Sequence, residues 1–492
     1  MKETSRKAGI LMPIASLPSS FGCGDFGPRA YEFLSLLKEG AFSLWQILPI
    51  NPISYGHSPY QPYSSFALDP IYISLDKLVE KGLLEEVKPF NEDAERIDYE
   101  AVRAFKLPYL RMAFQNEMKR NRGCLRVFQK THLWVNDYAA FMTFKEDEGG
   151  APWNTWGKRR RDWASSRRFI SPKDKTAFNF HVWLQKTLFA QWEELHEFAS
   201  SLGASIIGDI PFYVGFDSAD VWANQRYFLL ENESKEPSFV AGCPPDYFSK
   251  TGQRWGNPIY NWELLEKTDF AFLEERILRS AEIYDVIRLD HFRAFDTYWK
   301  VPSSCPTAEI GEWVEAPGYA FFDSLLEKKK DLKIIAEDLG MLREEVYTLR
   351  DHYGFPGMNV VEFTFKDAEI TKAADWNKEN MVCYIGTHDN DPLKGYLAKM
   401  EPYEKEQWEK ALTDLHAKGE TLEEKVLDYA FSRKCRTLIV SLQDLLGLGS
   451  ESRINEPGLV NEVNWTWRIK DYLSFKNILL ALRKRNEETS RV

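Results

Sequence analysis

The apolar and polar positions of this chain fall into two alternating kinds of segment. The first kind is a short aliphatic, β-branched run that ends in polar or glycine-containing residues. Eight such runs occur: GILMPI (9–14), FSLWQILPI (42–50), ASIIGDIPF (204–212), DVIRLDHF (285–292), KIIAEDLG (333–340), MNVVEFTF (358–365), MVCYIGTHDN (381–390) and TLIVSLQDLLG (437–447). Runs this apolar fit strands buried on both faces, as in a parallel sheet. The second kind is helical: RAYEFLSLLKEG (29–40) follows the first run, while YAFFDSLLEKKKD (319–331) and REEVYTLRDHYG (343–354) flank the fifth. Strand alternating with helix over eight strands predicts an α/β fold, a closed (β/α)8 TIM barrel. DYLSFKNILLALRKR (471–485) reads as an amphipathic last helix.

Two gaps are too long for simple crossovers. Residues 51–203, many in helical patterns, separate the second run from the third. Residues 213–284, rich in Pro, Gly and aromatics, separate the third from the fourth. The expected organisation is one catalytic barrel over 1–492. Large, mainly helical insertions at 51–203 and 213–284 would leave it at the strand ends where barrel loops build active sites.

Composition narrows the partners. A net charge of −11 argues against nucleic acid or an anionic membrane as a general partner. The basic stretch KRRRDWASSRR (158–168) reads as a solvated face on an inserted segment. The six cysteines, at 23, 124, 243, 305, 383 and 435, form no CxxC and no zinc pattern, as expected in a reducing compartment. RKAGILMPIASL has the basic-then-apolar order of a signal peptide, but Pro13 interrupts it and no A-x-A site follows. GILMPI is therefore taken as the first strand, no run reaches a membrane span, and the cytoplasm is the expected location. The 14% aromatic share suits a large core, with some rings lining a ligand groove.

Candidate chemistry sits at the strand ends. VIRLDHFRAF (286–295) begins as a buried strand and ends in Arg288, Asp290, His291 and Arg293. Arg288 and Asp290, two apart, share one face of the strand, the lumen of a barrel. A guanidinium there is expected to hold Asp290 ionised, with a low pKa, as a nucleophile requires. IIAEDLG puts Glu337 at the end of the fifth strand, and IGTHDN puts His388 and Asp389 at the end of the seventh. Taken singly, an acid at a strand end is a solvated loop residue and Arg288–Asp290 a structural ion pair. Three acids converging on one barrel mouth suit glycosidic bond chemistry, which uses one carboxylate at the anomeric carbon and one protonated carboxyl at the leaving oxygen. There is no G-x-S-x-G elbow and no P-loop, and GLGSES (447–452) is only a weak phosphate signal that keeps a phosphosugar enzyme open.

Several long motifs resemble one family nearly end to end: SLPSSFGCGDFG (16–27), SPYQPYSSFALDP (58–70), GDIPFYVGFDSADVWAN (208–224), PPDYFSKTGQRWGNPIYNW (244–262), RLDHFRAF (288–295), IIAEDLG (334–340), GTHDND (386–391) and NWTWR (464–468). The chain is similar to the amylomaltases, or 4-α-glucanotransferases, of the barrel clan that includes the α-amylases. The resemblance implies Asp290 as nucleophile, Glu337 as general acid and then base, and Asp389 as transition-state stabiliser. It implies Arg288, His291 and His388 at the cleavage point. It further implies glucan contacts from Asp246, Gln253 and Trp255 on a closing loop, and from Ser58, Tyr60 and Asn464. No metal and no organic cofactor are implied. The expected partners are maltooligosaccharides, amylose or starch-type glucans, with glucose as an acceptor.

Three positions depart from the family pattern: Ala294 for the usual Gly, Pro392 for Thr, and Glu362 in VVEF for Gln. Glu362 adds an acid near the sixth strand end, where it could alter local pKa values. A retaining transferase is the leading reading. A hydrolase using the same carboxylates is the enzymatic alternative, and a non-catalytic glucan-binding protein the alternative of another class. Oligomeric state and chain-length preference are not written in the sequence.

Overall fold

The protein is described from a computed structural model covering residues 6–54, 56–121, 123–165, 169–245, 249–340, 342–365 and 378–492. Its strands, in chain order, are β1 (Lys7–Leu11), β2 (Leu44–Gln46), β3 (Ser205–Ile210), β4 (Phe239–Cys243), β5 (Gln253–Pro258), β6 (Val286–Leu289), β7 (Thr297–Pro302), β8 (Glu312–Glu315), β9 (Ile334–Ala336), β10 (Gly357–Val360), β11 (Met381–Tyr384) and β12 (Thr437–Ser441). Eight of them form one parallel sheet in the order β10-β11-β12-β1-β2-β3-β6-β9. Its two end strands meet where Ala336 N donates to Pro356 O at 2.9 Å, so the sheet comes round to a nearly closed barrel. These are the eight apolar runs, each shorter than its run. Only Leu44–Gln46 of FSLWQILPI, for instance, pairs with neighbours on both sides.

The runs make strands because both faces are covered. Ile206, Ile287, Ile334, Val360, Val382 and Ile439 are all buried, and β-branched side chains pack well on a pleated surface. Helices Pro28–Glu39, Gly318–Lys328, Glu344–His352 and Leu473–Glu488 follow the helical patterns. Pro28 opens the first of them, where its missing N–H costs nothing.

The inserted segments differ from the expectation in two ways. Residues 51–174 carry helices that include Tyr99–Arg120 and Trp134–Asp147, but Lys175–Ser201 packs on β3 and on Pro28–Glu39 as a barrel helix does. The segment 213–284 carries, besides its helices, two strands outside the barrel. Its β4 and β5 join β7 and β8, from beyond β6, in an antiparallel sheet ordered β5-β4-β7-β8. Pairing between segments so far apart leaves no short-range signature, so this sheet could not be seen in the pattern of runs. Ala271–Ile283, at the end of the segment, packs on β3 and β6.

Beside the turn that leaves β6 lies an aromatic layer. Phe292 stacks on Phe322 at 5.6 Å between centroids, and Phe295 on Phe321 at 5.1 Å. These rings anchor the turn Phe292–Phe295 that leaves β6. Packing is equally tight beneath β3: a Cβ added at Gly208 would lie 2.2 Å from the Tyr284 ring. Gly208→Ala should therefore destabilise the protein by about 1–3 kcal/mol, seen as a lower midpoint in thermal unfolding. An unchanged midpoint would mean that Tyr284 can move aside freely.

Candidate active site

The site is built on Arg288, which lies within β6 opposite Asp209 of β3 in the strand register. Both side chains are buried in the barrel. Arg288 Nη1 donates to Asp209 Oδ1 and Oδ2 at 2.8 and 2.7 Å, and to Asp290 Oδ1 at 3.0 Å. Burial works against the guanidinium charge, but Asp209 and Asp290 more than offset it, and Arg288 stays protonated.

Asp290 directly follows β6, and its N–H donates to Ile210 O at 3.0 Å. His291 then adopts a left-handed conformation, φ 52° and ψ 48°, which is uncommon for a non-glycine residue. This turn points the His291 N–H at Glu337 Oε2, 2.8 Å away. Glu337 follows β9; its Oε1 accepts from Leu339 N at 2.9 Å, and its own N–H donates to Leu289 O at 3.0 Å. Asp290 and Glu337 thus stand at the ends of adjacent strands, each fixed by the neighbouring strand's backbone.

His388 and Asp389 lie on the turn after β11. Tyr60 OH donates to Asp209 Oδ2 at 2.8 Å and meets His388 Nε2 at 2.8 Å. Asp389 Oδ1 lies 3.4 Å from His388 Nε2 and accepts from Asn455 Nδ2 at 2.6 Å. Both His388 neighbours are satisfied when the ring carries its proton on Nε2. Burial lowers the His388 pKa, partly countered by Asp389. Burial, with Arg293 nearby, takes His291 down to about 4, so it is a neutral ring near pH 7.

The expected low pKa of Asp290 is overturned. Burial pushes Asp290 up to about 8; Arg288 pulls it down, while Asp209, Glu337 and Asp389 push it up again. Glu337 is also raised, first by burial, with Arg288 and the Leu339 N–H opposing. The reason is visible in the geometry: Arg288 is divided between Asp209 and Asp290, and one cation faces several carboxylates. Asp290 and Glu337 therefore titrate as a pair that keeps a proton near neutrality.

The remaining sequence-derived residues are distributed around this centre. Trp255, on β5, sets its ring edge-on to His291 at 4.9 Å, and its Nε1 donates to Gln253 Oε1 at 3.2 Å. Gln61 Nε2 donates to Trp255 O at 3.1 Å, tying the Tyr60 loop to β5. Ser58 Oγ accepts from Tyr60 N at 3.3 Å and shapes that loop. Asn464 is buried and engaged within its own loop. Its Nδ2 donates to Glu456 O and Leu459 O, and its Oδ1 accepts from Glu456 N, so it pins its own loop. Asp246 lies outside the described residues.

Sequence reasoning passed over Asp209, Asn455 and Trp465. Trp465 approaches Tyr60 at 5.7 Å and His388 at 5.9 Å. Asp209 carried a signal, an acid inside an otherwise apolar run, as Arg288 did; Asn455 carried none. Among the described residues, no group of His, Cys, Asp and Glu could hold a metal ion. Nor is any helix there long and apolar enough to cross a membrane.

A parallel barrel with paired carboxylates at the C-terminal ends of its strands is the architecture of an enzyme that works by acid–base and carboxylate chemistry. The family model described as 4-alpha-glucanotransferase matches residues 12–474. The chain is 42% identical over 489 residues to the 4-alpha-glucanotransferase of Aquifex aeolicus, covering 97% of this chain and 98% of that one. It is 39% identical to that of Thermus thermophilus, covering 95% of each. Its fold superposes with a TM-score of 0.92 on the amylomaltase of Streptococcus agalactiae in complex with acarbose, at 36% identity and covering 99% of both chains. The chain belongs to the 4-alpha-glucanotransferase family, enzymes of carbohydrate metabolism that act on α-glucans.

The titration of the carboxylate pair gives the sign of the pH dependence. With one proton on the pair, one group can act as acid and the other as base or nucleophile. On an α-glucan, kcat/KM should fall as pH rises through about 8, when the pair loses that proton. It should fall again in acid, when both groups are protonated. A rate that keeps climbing through the alkaline range would contradict this assignment.

Proposed function

We propose that the enzyme moves 1,4-α-glucan segments between maltodextrins by a retaining double displacement through a covalent glucosyl-enzyme. The observation that carries this reading is the placement of Asp290 and Glu337 side by side at the ends of β6 and β9, sharing the field of Arg288. Asp290 attacks the anomeric carbon as Glu337 protonates the departing glycosidic oxygen. Glu337, now a carboxylate, takes the proton of an incoming sugar hydroxyl, which displaces Asp290 and restores the α linkage.

Asp389, across the cleft, accepts hydrogen bonds from ring hydroxyls and favours the distorted sugar of the transition state. His388 and Arg288 hold that sugar in place. The Nε2 of His291 is buried with no hydrogen-bond partner among the described residues, which suits it to a sugar hydroxyl. Trp255, Gln253, Asp246, Tyr60 and Ser58 are the proposed glucan contacts, with Asn464 acting through its loop. Maltooligosaccharides, amylose and starch-type glucans are the proposed donors, and glucose the smallest acceptor. Six free cysteines suit a reducing, cytoplasmic setting. The barrel with its two inserted segments is taken as one catalytic unit.

Transfer rather than hydrolysis requires the acceptor to outcompete water. Oriented groups reach effective concentrations of ~10⁵ M or more, and aromatics such as Trp255 and Tyr60 can hold an acceptor sugar and exclude water. Maltotriose alone should therefore give glucose plus a ladder of longer maltodextrins, with total reducing ends nearly constant. A reducing-end total that climbs with every bond cleaved would promote the hydrolase reading.

The covalent step has its own test. Incubating Glu337→Gln with an α-maltosyl fluoride, whose leaving group needs little protonation, should leave a glycosyl adduct on Asp290 in peptide mass spectra. A labelled residue other than Asp290 would move the nucleophile. Inverted anomeric configuration in the first product would defeat the double displacement.

A further inference from the structure

Glu362 lies on the short helical turn Val361–Thr364 that closes β10, and it is 2% exposed. Its Oε2 accepts from Asn390 Nδ2 at 2.7 Å. Asn390 Oδ1 accepts from Thr387 N and from Thr387 Oγ1, both at 2.9 Å. Thr387 Oγ1 accepts in turn from Asp389 N at 3.3 Å. A continuous chain of hydrogen bonds thus runs from Glu362 through Asn390 and Thr387 to the backbone of Asp389. There is no slack beside it: a Cβ added at Gly386 would lie 3.0 Å from Asn390 Cβ and 3.1 Å from Glu362 Oε1.

We propose that Glu362 is a positioning residue for glucan transfer, acting through Asn390 to hold the turn that aims Asp389 into the cleft. The inference rests on the reading of Asp389 as the carboxylate that grips the sugar.

The surroundings decide in which charge state Glu362 does this. Its Oε1 is buried with no hydrogen-bond partner among the described residues. Facing it are Asp444 from the short helix Leu442–Leu445 after β12, Asp391 from the turn after Asn390, Tyr396 from helix Leu393–Lys399, and one cation, Arg453. Asp391 is already engaged by Lys399 Nζ at 2.5 Å and Ser450 Oγ at 2.8 Å. Arg453 is directed elsewhere, to Asp389 O at 2.7 Å and Asn455 O at 2.7 Å. A buried carboxylate without its own cation is costly, and the group keeps its proton instead. Burial, followed by Asp444, raises Glu362 well above the usual carboxylate range. The neutral carboxyl still offers Oε2 to Asn390. Ionisation at alkaline pH would add a third negative charge to this corner and disturb the turn.

The test compares Glu362→Ala and Glu362→Gln with wild type in kcat and KM for maltotriose disproportionation, with Asp389→Asn alongside. In Glu362→Ala, kcat should fall about 10- to 100-fold, as a small misplacement of a reacting group does, while KM changes little. Glu362→Gln keeps the acceptor oxygen and should recover most of the loss. The proposal is overturned if Glu362→Ala keeps its kcat or if Glu362→Gln is no better than Ala. Should Glu362→Ala fail to fold, Asn390→Ala, which cuts the same chain one link nearer Asp389, is read in its place: its kcat should fall with KM little changed, and an unchanged kcat overturns the proposal. An inactive Asp389→Asn beside an unaffected Glu362→Ala removes this inference alone; an active Asp389→Asn removes the reading beneath it as well.

Discussion

The candidate active site depends on one buried cation. Arg288 sits in the barrel lumen with Asp209 on the neighbouring strand and Asp290 above it on its own strand. A buried guanidinium is tolerable only when it is paired and hydrogen-bonded, and removing one partner of such a pair typically costs about 3–5 kcal/mol. Asp209 supplies that pairing; Tyr60 OH and, through it, His388 extend the network outward. The same contacts that make the charge bearable in the barrel also fix where Asp290 and His388 stand. Structure and chemistry therefore share residues, and a change at Asp209 would be felt in both.

Dividing one guanidinium among several carboxylates has a chemical consequence. An Arg288 serving Asp290 alone would oppose burial there more strongly and favour loss of the proton that the proposed mechanism needs for a leaving group. Because Asp209 takes two of the three Arg288 hydrogen bonds to carboxylate oxygens, burial prevails over attraction at Asp290 and Glu337. The backbone then holds the pair in register: Glu337 N donates to Leu289 O, and the left-handed His291 turns its N–H onto Glu337. The strained conformation of His291 is held from behind by Phe292 and Phe295 in the aromatic layer.

Much of this was legible in the residues alone, and the exceptions have physical reasons. The eight barrel strands were visible because strands buried on both faces must be apolar throughout. Asp290, Glu337 and Asp389 were visible because ionisable residues abruptly end apolar runs. Asp209 was passed over because it lies inside its run, where it looked like part of a strand; only its partner across the ladder reveals its task. The β5-β4-β7-β8 sheet was hidden because its pairings join segments on either side of β6. The raised pKa of Asp290 was not legible because a sequence shows a cation two residues away but neither the burial that opposes it nor the second carboxylate that competes for it. Asn464 belongs to a motif of the family, yet its hydrogen bonds turn inward to its own loop.

Burial raises Asp290 and Glu337, the divided guanidinium opposes it only in part, and the pair should therefore keep a proton at neutral pH. Infrared difference spectroscopy tests it most directly, comparing the free wild-type enzyme with the Asp290→Asn, Glu337→Gln double variant. The wild-type-minus-variant difference at neutral pH should show a protonated carboxyl C=O band from the pair, over and above that of Glu362, which both proteins share, and this band should vanish as the solution is made alkaline. A difference spectrum with no such band, both carboxyls being ionised at neutrality, would contradict it.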